Sequence, residues 1–141
     1  MSDVLKELYE VVLSRKRTPA EGSYTCYLFR EGLDKILKKC GEECAETIIA
    51  AKNHAAAEEF EAAAKQWEMA FERSKYAAGP AQSESAQARA DLENEICDLL
   101  YHLLVLMAQR DIPLEDIEGI LRERSLKIGN LKPAHASNRE T

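Results

Sequence analysis

The chain has 141 residues, 45% of them hydrophobic and 31% charged, which gives enough material for one core but not two and excludes disorder as the overall state. A net charge of −6 argues against a general nucleic-acid surface, since such domains carry a basic face. No apolar run is long enough to span a bilayer, and the start MSDVLKELYE lacks a basic region followed by an apolar one, so no membrane partner is expected and the cytoplasm is the expected location.

Six glycines and four prolines fall mostly between periodic segments, a pattern that predicts long helices and an all-α fold. Ser2 can cap a first helix running to about Arg15, with Val4, Leu5, Leu8, Val11 and Val12 on its inner side. RTPAEGS is a loop broken by Pro19 and Gly22. Ser23 then caps a short helical segment, YTCYLFRE, and Gly32 allows a bend before a longer helix from Leu33 to about Lys52. On that helix residues 33, 36, 37, 40, 44, 47, 48 and 51 form an apolar stripe, with Glu43 and Glu46 on its flank near Lys39. Glu42 points farther out.

From about His54 to Ala90 the chain changes character. AAAEEFEAAAKQWEMAFERSKY is rich in helix formers and carries a heptad-like stripe of Phe60, Ala64, Trp67 and Phe71. AAGPAQSES is a loop. A continuous helix from Leu33 to Tyr76 would span about 65 Å, so either the chain bends near Asn53–His54 or a helical arm projects. The next helix, about Gln87 to Arg110, turns Leu92, Ile96, Leu99, Leu103 and Leu106 one way, while Asp91, Glu95, Asp98 and His102 form a ridge along one edge. Cys97, Leu100 and Leu104 widen its apolar face to about half the circumference, more than a surface helix needs, which predicts an oligomer. Asp111, Ile112 and Pro113 lead into a last helix, LEDIEGILRERSL, ending near Gly129. The expected organisation is one domain over 1–128, with an inserted Ala/Glu-rich segment at about 54–90 and a polar tail over 129–141.

Glu43 and Glu46, and likewise Glu95 and Asp98, stand at i, i+3 inside periodic segments, so each pair puts two carboxylates on one side of a helix. Paired carboxylates from two helices can hold Mg²⁺, which favours oxygen ligands and acts with substrate phosphates. One Glu-x-x-Glu pair on a surface helix is common by chance; two pairs beside apolar stripes point to a metal-dependent phosphate enzyme. The competing reading is solvated charge at the border of a packed face, against which the ridge of like charges counts unless a cation relieves it. Di-iron chemistry is disfavoured because no Glu-x-x-His occurs. His102 reads more readily as a hydrogen-bonded border residue than as a ligand. Cys26, Cys40, Cys44 and Cys97 form no CxxC, and Cys40 and Cys44, one turn apart on the stripe, read as buried small hydrophobes and not as zinc ligands.

SYTCYLFREGLDKILKKCGEECAETIIAAK and NEICDLLYHLLVLMAQRDIPLEDI together resemble the phosphoribosyl-ATP pyrophosphatase family, one of the all-α nucleoside triphosphate pyrophosphohydrolases. The likeness covers roughly residues 23–53 and 94–121. It implies a helical bundle of that type, completed by dimerisation, with active sites near the subunit seam. It also implies hydrolysis of phosphoribosyl-ATP to phosphoribosyl-AMP and pyrophosphate in histidine biosynthesis. Glu43, Glu46, Glu95 and Asp98 match the family's Glu-x-x-Glu and Glu-x-x-Asp and are implied as catalytic residues and Mg²⁺ ligands; any one of them can orient the water. Lys35, Lys38 and Lys39 are candidate substrate-phosphate contacts, with solvated surface lysines as the equal alternative. The chain departs from the family in the segment between its acidic helices and in its tail. With no recognisable domain for the next pathway step, it reads as the stand-alone form. A house-cleaning pyrophosphatase would use the same carboxylates, while a non-catalytic helical module would use the Trp67 arm; pyrophosphate release with Mg²⁺ separates the enzymes from the module.

Overall fold

The computed structural model describes residues 3–71 and 83–127, and among these it contains five helices and no strand, so the fold is all-α. The predicted Ser2 cap, most of the AAGPAQSES loop, the Phe71 side chain and the tail over 129–141 lie outside the residues and side chains described.

Helix α1 (Asp3–Arg17) buries Tyr9 and Val12, with Leu5, Leu8 and Leu13 packed around them. Val4 and Val11, expected inside, face out at 68% and 49% exposure. The helix is rotated because Tyr9 must face inward: its hydroxyl donates to the Ile112 carbonyl at 2.7 Å, which ties α1 to the chain after α4. Lys16 does the same two turns later, donating to the Ala108 carbonyl and pairing with Asp111, both within 2.7 Å. A cation at the last carbonyls of α4 satisfies groups that the helix leaves open.

Helix α2 (Tyr24–Glu31) begins as predicted, with Ser23 Oγ accepting from the Cys26 amide. Gly32 stops it. Its φ of 88° lies where side chains are strained, and its amide donates back to Leu28 while its carbonyl accepts from Ile36. One residue thus ends α2 and starts α3 (Leu33–Phe71).

Helix α3 does not end near Lys52. It runs unbroken for 39 residues, about 58 Å at the usual rise. Of the two alternatives, the arm is what forms, because the Ala/Glu-rich stretch contains no Gly or Pro to break it. Most of the packing between helices is between α3 and α4 (Glu84–Gln109). Their antiparallel register is visible in the hydrogen bonds: Cys40 Sγ to the His102 carbonyl, Thr47 Oγ1 to that of Glu95, and Glu61 to Ser85. The Glu61 carboxylate accepts from both the amide and the hydroxyl of Ser85, at 2.9 and 2.7 Å. An acid from one helix therefore caps the positive end of the next. Helix α5 (Leu114–Leu126) follows Pro113 and buries only Leu114.

The core is Tyr9, Val12, Leu28, Ile36, Leu104, Val105, Ala108 and Leu114. It sits where α1 and α2 meet the start of α3 and the end of α4. Beyond it the α3/α4 pair has no third layer among the described helices, and the acidic residues lie along that seam.

The Glu61 clamp shows that the 54–90 segment is not all appendage: His54, Ala57 and Glu61 are partly buried on the α4 side. The part dispensable for chemistry should begin after Glu61. Replacing residues 63–82 with a short Gly/Ser turn should keep turnover within about threefold, since none of the clustered carboxylates lies there. Replacing 55–85, which removes the clamp, should lower the melting temperature measurably. Loss of turnover in a folded 63–82 variant would make the arm part of the site.

Candidate metal centre

Inner positions of α3 follow one another at 36, 40, 43, 47 and 50, a spacing of three and four that keeps them on one face. Four of these are what a seam would hold: Ile36, Cys40, Thr47 and Ala50. The fifth is Glu43, only 5% exposed. Glu43 is therefore inside the seam and not on its flank, while Leu37, Ile48 and Cys44 of the predicted stripe are exposed. Cys40 alone of the two neighbouring cysteines is partly buried. On α4 the face is also rotated, though Leu92, Leu99 and Leu106 of the predicted inner side stay partly buried and Leu104 is buried. Its supposed edge ridge faces the partner helix, with His102 buried and Glu95 partly so, and Ile96, Leu100 and Leu103 of the predicted inner face turn to solvent.

That rotation brings Glu43, Glu95 and Asp98 together. One carboxylate oxygen from each lies within 4.8 Å of the others. The donors are hard oxygens from two rigid helices, the set that suits Mg²⁺ or a similar divalent cation. Glu46 stands beside Glu43, whose charge pushes the Glu46 carboxyl above its ordinary pKa, with Glu95 adding to the effect. Glu46, Asp91 and Glu95 line an open cleft of about 320 Å³ with Ile49, Ala50, Asn53 and Ala88. Asp91 is engaged by Gln87 at 2.9 Å and stands outside the three-oxygen group.

The three lysines separate. Lys39 Nζ lies 2.7 Å from Glu43 and 3.1 Å from Glu42, and its hydrogen bonds hold Glu43 below the ordinary carboxylate pKa. Lys38 points outward to Glu42 at 3.6 Å. Lys35 stands 5.9 Å over the Tyr27 ring, with Arg30 at 5.7 Å from the same ring.

His102 is hydrogen-bonded as the sequence predicts, but buried and not at a border, and the supporting role of Thr47 was missed. His102 Nδ1 is 2.8 Å from the Asp98 carbonyl, which can only accept, so Nδ1 carries the proton. Nε2 then accepts from the Tyr24 hydroxyl at 3.2 Å. Both ring nitrogens are engaged, which makes His102 a buried brace beside Glu43 and not a ligand. Tyr24 stacks between Tyr27 and Tyr101, and the Tyr101 hydroxyl meets Thr25 at 2.7 Å. Thr47 Oγ1 reaches the carbonyls of Glu43 and Glu95, joining the backbones that carry two of the acids. The available signal was Thr47 itself, a hydroxyl on the inner row one turn after Glu43.

Residues 5–125 match the family model described as Phosphoribosyl-ATP pyrophosphohydrolase. A protein of Clostridium novyi (strain NT) named phosphoribosyl-ATP pyrophosphatase is 40% identical over 131 residues, 93% of this chain and 89% of that one. Proteins of the same name from Clostridium acetobutylicum and Listeria innocua are similar. The first is 41% identical over 93% of this chain and 89% of its own length. The second is 43% identical over 89% and 88%.

Proposed function

The chain belongs to the phosphoribosyl-ATP pyrophosphohydrolase family, and from that premise we infer that it hydrolyses phosphoribosyl-ATP to phosphoribosyl-AMP and pyrophosphate in histidine biosynthesis. The observation that carries the assignment to a site is the meeting of Glu43, Glu95 and Asp98 oxygens across α3 and α4. We propose these three as Mg²⁺ ligands, with Glu46 completing the acidic set and free to orient the attacking water. When bound, the ion neutralises the triphosphate and stabilises charge on the leaving pyrophosphate. The remaining work falls to the chain. His102 and Thr47 fix the helices that carry the acids. Lys39 holds its ammonium at Glu43, and Lys35 and Lys38, farther out on α3, are the other candidates for the substrate's phosphates. Tyr24 and Tyr27, with Arg30 and Lys35 above the latter, give the adjoining α2 surface an aromatic and cationic character suited to a base bearing a second phosphate.

No described helix is long and apolar enough to cross a membrane, and a biosynthetic enzyme of this kind is proposed to act in the cytoplasm. It is further proposed to work as a homodimer. Leu37, Cys44 and Ile48 lie about 100–140° around α3 from Glu43, and Ile96, Leu100 and Leu103 about 100–160° around α4 from His102. In an antiparallel pair, equal offsets put both sets on the same side. The result is an exposed apolar face on the α3/α4 pair, the kind of surface that a second copy covers.

Substrate choice tests the function. The carboxylates meet only metal and triphosphate, which all nucleoside triphosphates share, so discrimination rests on the second phosphate. A charged contact left unpaired by a smaller substrate costs a few kcal/mol, so kcat/KM for phosphoribosyl-ATP should exceed that for ATP or deoxynucleoside triphosphates by about a hundredfold or more. Rescue of a histidine auxotroph is the second measurement. Equal efficiency on ordinary triphosphates without rescue would make this a house-cleaning pyrophosphatase.

A further inference from the structure

Lys39 is placed oddly for a residue whose only role is to bind substrate. Its ammonium is directed into the carboxylate cluster, 2.7 Å from Oε1 of Glu43, the most buried acid of the group. Its second partner, Glu42, is outside the three-oxygen set and partly exposed, with an oxygen 3.1 Å away. Lys39 is only 22% exposed, so this is not a solvated surface pair. A buried carboxylate needs a cation or hydrogen-bond donors. His102 cannot serve fully, since its Nδ1 gives its proton to the Asp98 carbonyl and is itself 3.7 Å from Glu43 Oε1.

We propose that Lys39 is a stand-in cation: it neutralises Glu43 while the site is without metal, yields that oxygen when a divalent cation binds, and moves its ammonium towards Glu42 and the substrate's phosphates. The inference rests on the metal-centre reading given above. Glu42 supplies the alternative partner on the same helix, one residue before Glu43, so the exchange needs only side-chain rotation. The two binding events become linked. Metal binding must break the Lys39–Glu43 contact, and the freed ammonium then improves the site for an anion.

The test is Mn²⁺ binding to the full chain without nucleotide, followed by loss of the free-ion paramagnetic resonance signal. Removing the resident cation should favour the metal, so Lys39→Met should bind Mn²⁺ about tenfold more tightly than wild type, the scale of one charge-assisted hydrogen bond. Lys39→Arg, which keeps the charge, should stay within about threefold of wild type on the same scale. A direct contact is screened less than a distant field, so the gain should persist between about 0.1 M and about 0.5 M salt. The metal-free Lys39→Met chain should also melt below wild type, and saturating Mn²⁺ should narrow that gap. With metal saturating, its KM for the nucleotide should rise. Unchanged or weaker Mn²⁺ binding in Lys39→Met, an Arg variant as tight as the Met variant, or a gain that vanishes with salt would each overturn the proposal. An unchanged KM would overturn the transfer to phosphate. Asp98→Asn separates the two levels of inference. If wild type binds Mn²⁺ no better than Asp98→Asn, the metal centre itself is wrong; if it binds better and Lys39→Met matches wild type, only the stand-in role is lost.

Discussion

Asp98→Asn and Glu95→Gln should each lower Mg²⁺-dependent pyrophosphate release by about a thousandfold, since a bound divalent cation contributes several kcal/mol at about 1.4 kcal/mol per tenfold. Both changes keep shape and remove charge. Glu95 and Asp98 belong to the three-oxygen group, and neither is buried, so the fold has little need of their charge. Without metal these variants should melt at or slightly above the wild-type temperature, because one member of a repulsive cluster has been neutralised. Glu46→Gln should show a smaller loss, since Glu46 stands outside the group. Glu43→Gln should behave differently from all three. It breaks the pairing of a buried carboxylate with Lys39 and should cost about 1–3 kcal/mol of stability as well as activity. EDTA should abolish turnover of the wild type and Mg²⁺ should restore it. Near-normal turnover in Asp98→Asn and Glu95→Gln, or full activity in chelator, would remove the metal centre.

The pH dependence has a definite sign. Glu46 is held above its ordinary pKa by the Glu43 charge, so on acidification it takes up its proton before an ordinary carboxyl does. A cation bound among these carboxylates would counter that shift, so the effect belongs to the metal-free chain. In the metal-free chain the protonated form also relieves repulsion, so this group adds stability as pH falls through its raised pKa. Glu43, lowered by Lys39, works the other way: its pairing stabilises the fold above the unfolded pKa and is lost only as pH falls through the depressed one.

Ile48→Glu and Leu103→Glu should convert a dimer to monomers at micromolar concentration. Both residues are exposed in the single chain, at 61% and 39%, so a carboxylate at either position is harmless to the fold of one protomer. In a two-fold assembly each change occurs twice. Each site loses about 1.5–3 kcal/mol of apolar burial and adds the cost of desolvating an unpaired charge, enough to weaken the dimer by at least about a hundredfold per site. Light scattering reads the result directly. A wild-type chain that is already monomeric and fully active, or a Glu variant that stays dimeric, would show that this face is not the one a second copy covers. Because the α3/α4 pair carries both the apolar face and the carboxylates, monomeric variants should also lose turnover.

Local features were legible in the sequence because local chemistry decides them. Ser23 and Gly32 bracket α2 as predicted, since a side-chain cap and a left-handed glycine act within one turn. Pro113 stands ahead of the last helix for the same kind of reason. The pairing of Glu43 with Glu46 and of Glu95 with Asp98, and the likeness to the family, also came from residues read in order. What the sequence could not decide was rotation. Both long helices have two apolar strips, and periodicity alone favours burying the more apolar one. In the single chain the inner face is rotated: Glu43 and His102 join Ile36, Cys40 and Thr47 in the seam, while Ile48, Ile96 and Leu103 remain open. Contacts far apart in sequence fix that choice, among them Tyr24 to His102, Cys40 to the His102 carbonyl and Glu61 to Ser85. They satisfy buried polar groups that would otherwise cost more than an exposed leucine does. The length of α3 was decided in the same way. Its composition permits a helix, and its pairing with α4 and the Glu61 clamp stabilise one far longer than the apolar stripe alone would predict.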